Sequence, residues 1–337
     1  MGSKLKKIII NSLTGKSINN LAFALSNPFC SIFMLHRFQV EDLQIKGHSA
    51  TLLTEALEYL RKHKFSFISI EELCQIITEE KPIPRRTICF TLDDGFWDQA
   101  EVSGPIFSAY DCPATYFVVN RFLDNTHWLW DSKLEFLLEN ATQQSLFNFS
   151  KSLSIPESER PIEQTIFKTL IPKLKTLNED DMETSLQLWS QALEVPIPSV
   201  PPKKYSAMNW NQAQKLLKLG LKIGPHSMTH PILANETDSQ SSWQINESWN
   251  DLYRKLPNAS PVFCYPVGRY GLDFGEREKS IVENSNMLGA VAADPGYISY
   301  KNESTITDLK RFGLPDNIED FRQYATWVER AKDFIRK

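Results

Sequence analysis

Short apolar runs alternate with longer amphipathic patterns along most of this chain of 337 residues. The short runs have the length and composition of buried strands, whereas the patterns between them repeat with the period of a helix. Strands are predicted at 30–38, 65–68, 87–90, 114–119, 221–223, 262–265, 289–293 and 308–312. Helices are predicted at 52–60, 97–110, 210–219, 242–256, 276–284 and 318–336, and a further helix is predicted to begin at the cap-like Ser69-Ile70-Glu71-Glu72.

This alternation predicts an α/β fold, because strands that alternate with helices pair in parallel. Seven or eight strand candidates fit a distorted (β/α)7-type barrel better than two separate domains. We expect a helical extension at 1–29 and a barrel over 30–337. The alternation stops between 126 and 205, which predicts a mainly helical insertion that ends in the proline-rich, extended stretch 195–202.

Two tryptophans, Trp128 and Trp130, stand near the start of this insertion. They are compatible with a lid or wall on which a sugar stacks. They are also typical of a small hydrophobic core that belongs to the insertion itself. The core interpretation is slightly favoured.

Charge and cysteine content narrow the classes of function. The net charge is −4 and the isoelectric point is about 5.9, so the chain lacks the basic field expected of a nucleic-acid-binding protein. The five cysteines lie in apolar contexts without metal-type spacing. This pattern indicates buried thiols in a reducing compartment.

The first 25 residues combine lysines with a short apolar run. Lys4, Lys6 and Lys7 precede three isoleucines, but polar residues then interrupt the run and no clean cleavage site follows. We therefore predict no secretion signal and a cytoplasmic protein, with the inner face of the membrane as a variant of that hypothesis. A peripheral membrane contact through a cationic amphipathic helix is compatible with this segment, although packing on the outside of the barrel is favoured.

The first candidate for chemistry is the acidic pair Asp93-Asp94, which follows the apolar run 87–90 and precedes Gly95. Adjacent residues of an extended segment point to opposite sides, so one carboxylate can hold a metal while its neighbour acts as a base. Asp-Asp-Gly is also common turn chemistry. On this motif alone, the turn is the better interpretation.

The second candidate is the pair His226 and His230, again at the end of an apolar run. Two imidazoles four residues apart on one face of a helical turn can reach one cation, as in H-E-x-x-H zinc sites. No glutamate lies between them, so the base has to come from elsewhere. The alternative is two surface histidines that share a helical face.

Together these segments resemble a known family. Thr91-Leu92-Asp93-Asp94-Gly95 and His226-Ser227-Met228-Thr229-His230-Pro231 resemble the first two motifs of the polysaccharide deacetylases, the family-four carbohydrate esterases with a NodB-type domain. Phe263-Cys264-Tyr265-Pro266-Val267-Gly268 resembles the third motif. The resemblance covers about 33–313 apart from the insertion. It implies a hydrolase that removes an N-acetyl group from an N-acetylhexosamine of a bacterial surface polysaccharide or its precursor.

The resemblance also implies roles for individual residues. Asp94, His226 and His230 would hold one divalent metal ion, and zinc is favoured over nickel or cobalt because mixed imidazole and carboxylate ligands suit it. Asp93 would be the base. The backbone N–H of Val267 would stabilise the oxyanion together with the metal.

His36, near the end of the first predicted strand, is the candidate acid. The usual acid of the family lies in a Leu-x-His motif near the C-terminus, and this chain lacks that motif. The carboxyl ends of barrel strands share one face, so His36 can supply the same group from the first strand. This arrangement resembles the circularly permuted members, such as the poly-N-acetylglucosamine deacetylases, in which a Tyr precedes the His; here Leu35 takes that place. A capping or core histidine is the alternative.

The chain departs from the family pattern in the third and fourth motifs. Cys264 stands where the family commonly has an arginine that steadies the base. Arg311 is a candidate substitute, although a surface arginine is the favoured interpretation. Trp97 and Tyr265 are further candidates for substrate contact or support. The fourth motif is not recognisable, although Asp294 lies near its expected place.

Three functions remain open from the sequence. The first is deacetylation of an N-acetylated glycan or glycan precursor as described. The second is hydrolysis of a non-sugar amide by the same fold and metal. The third is a catalytically silent glycan-binding protein, suggested by Cys264 and the absent C-terminal histidine. The sequence indicates neither the sugar nor the oligomeric state.

Overall fold

The structure, a computed structural model, describes residues 3–156, 158–299 and 306–335. The strands are β1 (Cys30–Leu35), β2 (Ser66–Phe67), β3 (Thr87–Leu92), β4 (Thr115–Val118), β5 (Lys222–Pro225), β6 (Val262–Cys264), β7 (Gly289–Val291) and β8 (Phe312–Gly313). The helices before the inserted region are α1 (Ser3–Leu13), α2 (Lys16–Leu25), α3 (Ala50–Lys62), α4 (Ile70–Thr78), α5 (Gly104–Ala109) and α6 (Asn120–Leu123). The remaining helices are α7 (Trp130–Asn140), α8 (Gln143–Ser152), α9 (Ile162–Leu174), α10 (Glu179–Leu193), α11 (Trp210–Lys218), α12 (Asp238–Lys255), α13 (Glu276–Glu283), α14 (Ile318–Ala325) and α15 (Trp327–Ile335).

A parallel sheet with the order β5-β4-β3-β1-β8 forms most of the wall. At its centre β1 pairs with β3 over their full length, from Cys30 opposite Thr87 to Leu35 opposite Leu92. On the other side of β3, β2 pairs with the first half and β4 with the second half. Because all these pairings are parallel, the carboxyl ends of the strands lie on one face.

The strands β6 and β7 form a separate parallel pair that continues the wall. The N–H of Ser260 donates to the carbonyl of Ile223 in β5, and the N–H of Ala292 donates to the carbonyl of Leu309 ahead of β8. The pair therefore lies between β5 and the segment that leads to β8. The predicted distorted (β/α)7-type barrel is confirmed as a fold, with a wall built from two sheets.

Local capping explains where several helices begin. The side chain of Ser69 accepts a hydrogen bond from the N–H of Glu72 (3.1 Å), as the predicted cap requires.

The predicted helix 318–336 is instead two helices, because Thr326 between α14 and α15 is extended. The predicted helix 97–110 begins with a π-helical turn, Gln99–Ser103.

The N-terminal helices pack against the outside of the barrel. Lys7 of α1 forms an ion pair with Glu319 of α14 (2.6 Å), and Phe23 of α2 is 3% exposed and stacks on Phe29. Leu21 and Leu25 on the outer side of α2 remain exposed. Within the described residues, every helix is too short or too polar to cross a membrane.

The inserted helices α7, α8, α9 and α10 enclose a hydrophobic core of their own. Trp130 is 6% exposed and belongs to this core. Trp128 is 3% exposed and packs with aromatic side chains between the insertion and the barrel. The interpretation as part of the insertion's own core is therefore confirmed for Trp130, whereas Trp128 is buried in a separate cluster at the junction with the barrel. Stacking on a sugar does not fit the burial of either side chain. Ile232, from the segment after the histidine pair, lies in the same core as Trp130.

Gly224 of β5 should not tolerate a side chain. A Cβ atom there would lie 2.8 Å from the ring of Phe117 and 2.9 Å from the carbonyl oxygen of Val262. We expect Gly224→Ala to lower the free energy of unfolding by about 1–3 kcal/mol, because the packed wall must shift. Urea unfolding measures this loss. Gly313→Ala is the matched control, because a Cβ atom on Gly313 of β8 meets no atom within 4 Å; equal stability of the two variants would contradict the prediction.

Candidate active site and metal centre

The two aspartates that follow β3 turn to different partners. The N–H of Asp93 donates to the carbonyl of Leu35 and so continues the pairing with β1. Asp94 and Gly95 then adopt positive φ angles of 84° and 87°. The turn predicted from this motif is present, and both carboxylates are buried in the candidate site, with Asp93 3% and Asp94 8% exposed.

Asp93 forms a buried, two-pronged ion pair with Arg311. Arg311 Nη1 donates to Asp93 Oδ1 (2.7 Å) and Nη2 donates to Oδ2 (2.8 Å). Burial raises the pKa of Asp93, but the charge and hydrogen bonds of Arg311 outweigh burial and hold the pKa below its ordinary value. Asp93 is therefore ionised throughout the neutral pH range.

Arg311 reaches Asp93 from the segment before β8. It is 1% exposed, so the favoured interpretation of Arg311 as a surface residue is wrong. Its Nη2 lies 3.3 Å from the sulfur of Cys264, the position at which the family commonly has its arginine. The guanidinium of Arg311 therefore lies beside Asp93, although Arg311 belongs to a different segment from the family's arginine. The small side chain of Cys264 lies next to this guanidinium.

The two histidines lie in a loop after β5, and the predicted helical turn is wrong. Ser227 and His230 both have φ angles of 66°, which end any helical path. The hydroxyl of Ser227 accepts the N–H of His230 (2.9 Å) and closes the loop. This backbone brings the two imidazole rings to 4.9 Å between centroids.

Both imidazoles face Asp94. Oδ1 of Asp94 lies 3.5 Å from Nε2 of His226 and 3.4 Å from Nε2 of His230. Nδ1 of His226 lies 2.7 Å from the carbonyl oxygen of Cys264, and since a carbonyl only accepts, this nitrogen carries the proton. In the neutral ring, Nε2 then presents its lone pair to Asp94.

This arrangement fits a divalent cation. The three ligand atoms lie within 4.8 Å of one another, and two ligand atoms that are each about 2 Å from a tetrahedral zinc ion lie about 3.3 Å apart. Burial opposes a charge on His226, yet Cys264 and the hydrogen bond with Asp94 raise the pKa of His226 well above its ordinary value. Burial and His226 lower the pKa of His230 to about 3. The surroundings thus favour one positive charge between these groups, which a metal ion would supply to all three.

His36 lies at the exposed mouth of the site, in the loop after β1. Its carbonyl accepts a hydrogen bond from Gln99 Nε2 (2.7 Å), which also donates to the carbonyl of Asp93. This shared amide fixes the His36 loop to the aspartate turn. Burial raises the pKa of Asp94, whereas the hydrogen bond with His226 and the nearby charge of His36 lower it.

Val267 lies in the turn after β6 with a φ angle of 58°, a conformation that a β-branched residue rarely adopts. Its side chain packs against the core of the inserted helices. Within the described chain, its N–H has no hydrogen-bond acceptor. The prediction that this N–H binds an oxyanion remains a prediction.

The two other candidates, Trp97 and Tyr265, each donate a hydrogen bond to a main-chain carbonyl. The indole N–H of Trp97 donates to the carbonyl of Lys203 (2.7 Å) and ties the connector after the insertion to the barrel. Tyr265 is 1% exposed, stacks on Phe274 and donates its hydroxyl to the carbonyl of Thr307 (2.9 Å). These contacts fit the support role expected of Tyr265, and a contact between Tyr265 and a substrate remains a prediction.

Asp131 is a site residue that the motifs did not reveal. The indole N–H of Trp130 at the start of α7 donates to the carbonyl of His230 (3.1 Å), which places the adjacent Asp131 beside the site. Burial and the charge of Asp94 raise the pKa of Asp131 to about 6. Asp131 lies near the site because the inserted helices pack over the barrel. No local sequence pattern predicts this position.

Comparison with protein families gives one match. A family model described as polysaccharide deacetylase matches residues 173–281, and the predicted resemblance to this family is confirmed. The match includes His226, His230 and Val267, while Asp93 and Asp94 lie outside it. A comparison with curated proteins found no match.

Several solved structures have the same fold. The Streptococcus pyogenes deacetylase PplD, solved in complex with acetate, has a TM-score of 0.57 and 16% identity over 89% of this chain and 99% of its own. IcaB from Ammonifex degensii has a TM-score of 0.56 and 12% identity over 90% and 98% of the two chains. A de-N-acetylase from Aggregatibacter actinomycetemcomitans has a TM-score of 0.52 and 12% identity over 84% and 94%. At these identities the likeness establishes the fold.

Replacing Arg311 by Met should destabilise the protein chiefly at neutral pH. In the wild type, the pKa of Asp93 is lowered, so the ion pair stabilises the fold above the ordinary aspartate pKa and is lost as the pH falls through the lowered value. In the variant, burial still raises the pKa of Asp93, and only the weaker effects of His226 and His36 oppose it. We expect a loss of about 3–5 kcal/mol in the free energy of unfolding at pH 7.5, and a smaller loss at pH 4.5, where the unpaired carboxylate takes up a proton.

Urea unfolding of the metal-free protein at both pH values tests this expectation. Arg269→Met is the control, because Arg269 is exposed on the same face of the barrel. An equal loss of stability at the two pH values would show that Arg311 contributes packing and not charge.

Proposed function

We propose that this protein, whose residues 173–281 match the polysaccharide deacetylase family, is a divalent-metal-dependent hydrolase that removes an N-acetyl group from an N-acetylhexosamine. Its substrate would be a bacterial surface polysaccharide or a precursor of one. The observation that supports the proposal most strongly is that the side chains of Asp94, His226 and His230 lie together. This group is next to the ion pair of Asp93 and Arg311. The family match and the fold support carbohydrate deacetylation as the reaction class.

Asp93 has the properties of the base in amide hydrolysis. A zinc ion held by Asp94, His226 and His230 would polarise the acetamide carbonyl and lower the pKa of water. Asp93 would accept the proton of the attacking water, and it begins the reaction ionised because Arg311 lowers its pKa. The two hydrogen bonds from Arg311 also fix the orientation of the carboxylate, as a base that acts at one atom requires.

The acid and the oxyanion donor would come from two other loops. His36 is exposed at the mouth, where it would protonate the departing amine. The N–H of Val267 would donate to the oxygen that becomes negative during attack. Its strained backbone supports this role, because a conformation that costs free energy persists where the surroundings demand it.

The character of the mouth supports a polar substrate. His36 and Asp131 contribute an imidazole and a carboxyl group next to the predicted metal ligands. Hydroxyl groups of a sugar would find hydrogen-bond partners there. PplD was solved with acetate, the second product of the reaction proposed for this chain.

Metal binding should depend on His226. Elemental analysis of wild type, purified and then supplied with zinc, should give about one zinc ion per chain. His226→Ala should lose this zinc, because one of the three ligands is removed. His63→Ala is the control, since His63 ends α3 at the opposite face of the barrel. Absence of zinc from the wild type would refute the proposed metal site.

Catalysis should depend on Asp93 without loss of the metal. We expect Asp93→Asn to release acetate from N-acetylhexosamine oligomers about 10²- to 10⁴-fold more slowly than wild type, because the base is lost, while the zinc content stays unchanged. Asp111→Asn is the control, because the Asp111 side chain is 97% exposed. An acetate assay with zinc analysis of the same samples makes the test.

The same assay separates the other functions. If small amides are hydrolysed and acetylated sugars are not, the protein is an amidase of another class. If wild type and Asp93→Asn are equally silent on every acetylated glycan while zinc is bound, the protein is a glycan-binding relative without turnover.

A further inference from the structure

The loop between the two histidines, 226–230, is held mainly by residues outside it; we call it the metal loop. Its five residues are all buried, and two of them have positive φ angles. One internal bond, from the N–H of His230 to Ser227 Oγ, supports this shape. Since non-glycine residues rarely adopt such angles, the surroundings must stabilise the loop.

Gln244 of α12 supplies that support with its whole carboxamide. The oxygen accepts the N–H of Met228 (2.9 Å) and the N–H of Thr229 (3.1 Å). The amide nitrogen donates to Thr229 Oγ1 (2.6 Å) and to Glu179 Oε2 (3.0 Å). A primary amide has two acceptor sites and two N–H groups, so every hydrogen-bonding site of this group is used, and the side chain is 1% exposed.

Glu179 connects this contact to the inserted helices. It is the first residue of α10, and its backbone N–H donates to Glu236 (2.8 Å), which follows the metal loop by a few residues. Asn235 next to Glu236 donates to the carbonyls of Lys175 and Leu177 ahead of α10. The segment after the metal loop is thus joined to the insertion along its length.

A second connection comes from the start of α7. The indole of Trp130 donates to the carbonyl of His230 (3.1 Å), and the ring itself belongs to the insertion's core. The carbonyl of a predicted metal ligand is therefore held by a side chain that the barrel alone does not provide.

We infer that the inserted helices are a structural part of the metal centre and that Gln244 is the positioning residue through which they hold the metal loop in its ligating shape. The inference rests on the metal-dependent function proposed above and gives the insertion its role. Gln244 touches neither histidine side chain. It acts on the main chain between them, and so on the separation of the two Nε2 atoms.

Zinc affinity, measured by competition with a chromogenic chelator, tests the positioning role. Gln244→Met keeps the length of the side chain and removes all four hydrogen bonds. We expect its zinc dissociation constant to rise about 10- to 100-fold, as for other residues that orient metal ligands. Gln240→Met is the matched control, one turn earlier on the same helix and exposed. A Gln244→Met protein with the wild-type dissociation constant would overturn the inference.

Exchanging the carboxylate at position 179 and the carboxamide at position 244 tests whether Glu179 connects Gln244 to the inserted helices. Gln244→Glu places two carboxylates together and should weaken zinc binding by about 10-fold or more. In the double variant E179Q/Q244E, the new amide at 179 can donate to the new carboxylate at 244, which still accepts both N–H groups of the metal loop. This variant has the wild-type net charge, and its dissociation constant should return to within about threefold of wild type. A double variant no better than Q244E would overturn the role of Glu179.

A metal-independent measurement separates this inference from the proposed function. In metal-free protein, hydrogen exchange of the Met228 and Thr229 amides should be faster in Gln244→Met than in wild type or Gln240→Met. If wild type bound no zinc but these amides still depended on Gln244, the proposed function would fail and the positioning role would stand. Unchanged exchange would refute the positioning role. If Gln244→Met fails to fold, E179Q/Q244E compared with Q244E decides.

Discussion

The buried ion pair between Arg311 and Asp93 is the interaction on which the site and the closure of the barrel both depend. A guanidinium carries five N–H groups, and each has a partner here: Nε bonds Ala292, Nη1 bonds Thr91 and Asp93, and Nη2 bonds Asp93 and Cys264. A charge can be buried at tolerable free-energy cost when it is paired and fully hydrogen-bonded. The same bonds join β3 to the ends of β6 and β7, so the separate two-stranded sheet is tied to the main sheet by the group that lowers the pKa of Asp93.

This ion pair also gives the two neighbouring aspartates different electrostatic surroundings. Asp93 is paired with the permanent positive charge of Arg311 and stays ionised, whereas Oδ1 of Asp94 lies 3.5 Å from Nε2 of His226 and 3.4 Å from Nε2 of His230. A bound cation would therefore stabilise the group formed by Asp94 and the two imidazoles. Asp93 needs no such cation, because Arg311 already supplies its positive charge. Adjacent carboxylates with identical chemistry thus have different partners, because the chain turns at the positive φ of Asp94.

The sequence predicts the fold and the residues of the candidate metal site, because both depend on local signals. Period and run length identify strands and helices, and the spacing of His226 and His230 next to a strand end suggests a ligand pair. The spacing of the histidines wrongly predicts a helical turn, since the positive φ of Ser227 depends on contacts with distant residues. The burial of Arg311 has no local signal, because its partner Asp93 lies 218 positions earlier. Asp131 reaches the site only through the packing of the insertion, which no motif encodes.

The position of the candidate acid follows from the closure of the barrel. Because β1 pairs with β8, with Phe33 opposite Phe312 and Met34 opposite Gly313, the loops after these two strands are neighbours on the face that carries the site. A side chain can therefore reach one point above the barrel from either end of the chain. A histidine after the first strand can serve where the family usually uses one near its C-terminus, provided that its loop is fixed. Gln99 fixes it here, since one amide group binds the carbonyls of both His36 and Asp93 and so joins the main chain of the candidate acid to that of the candidate base.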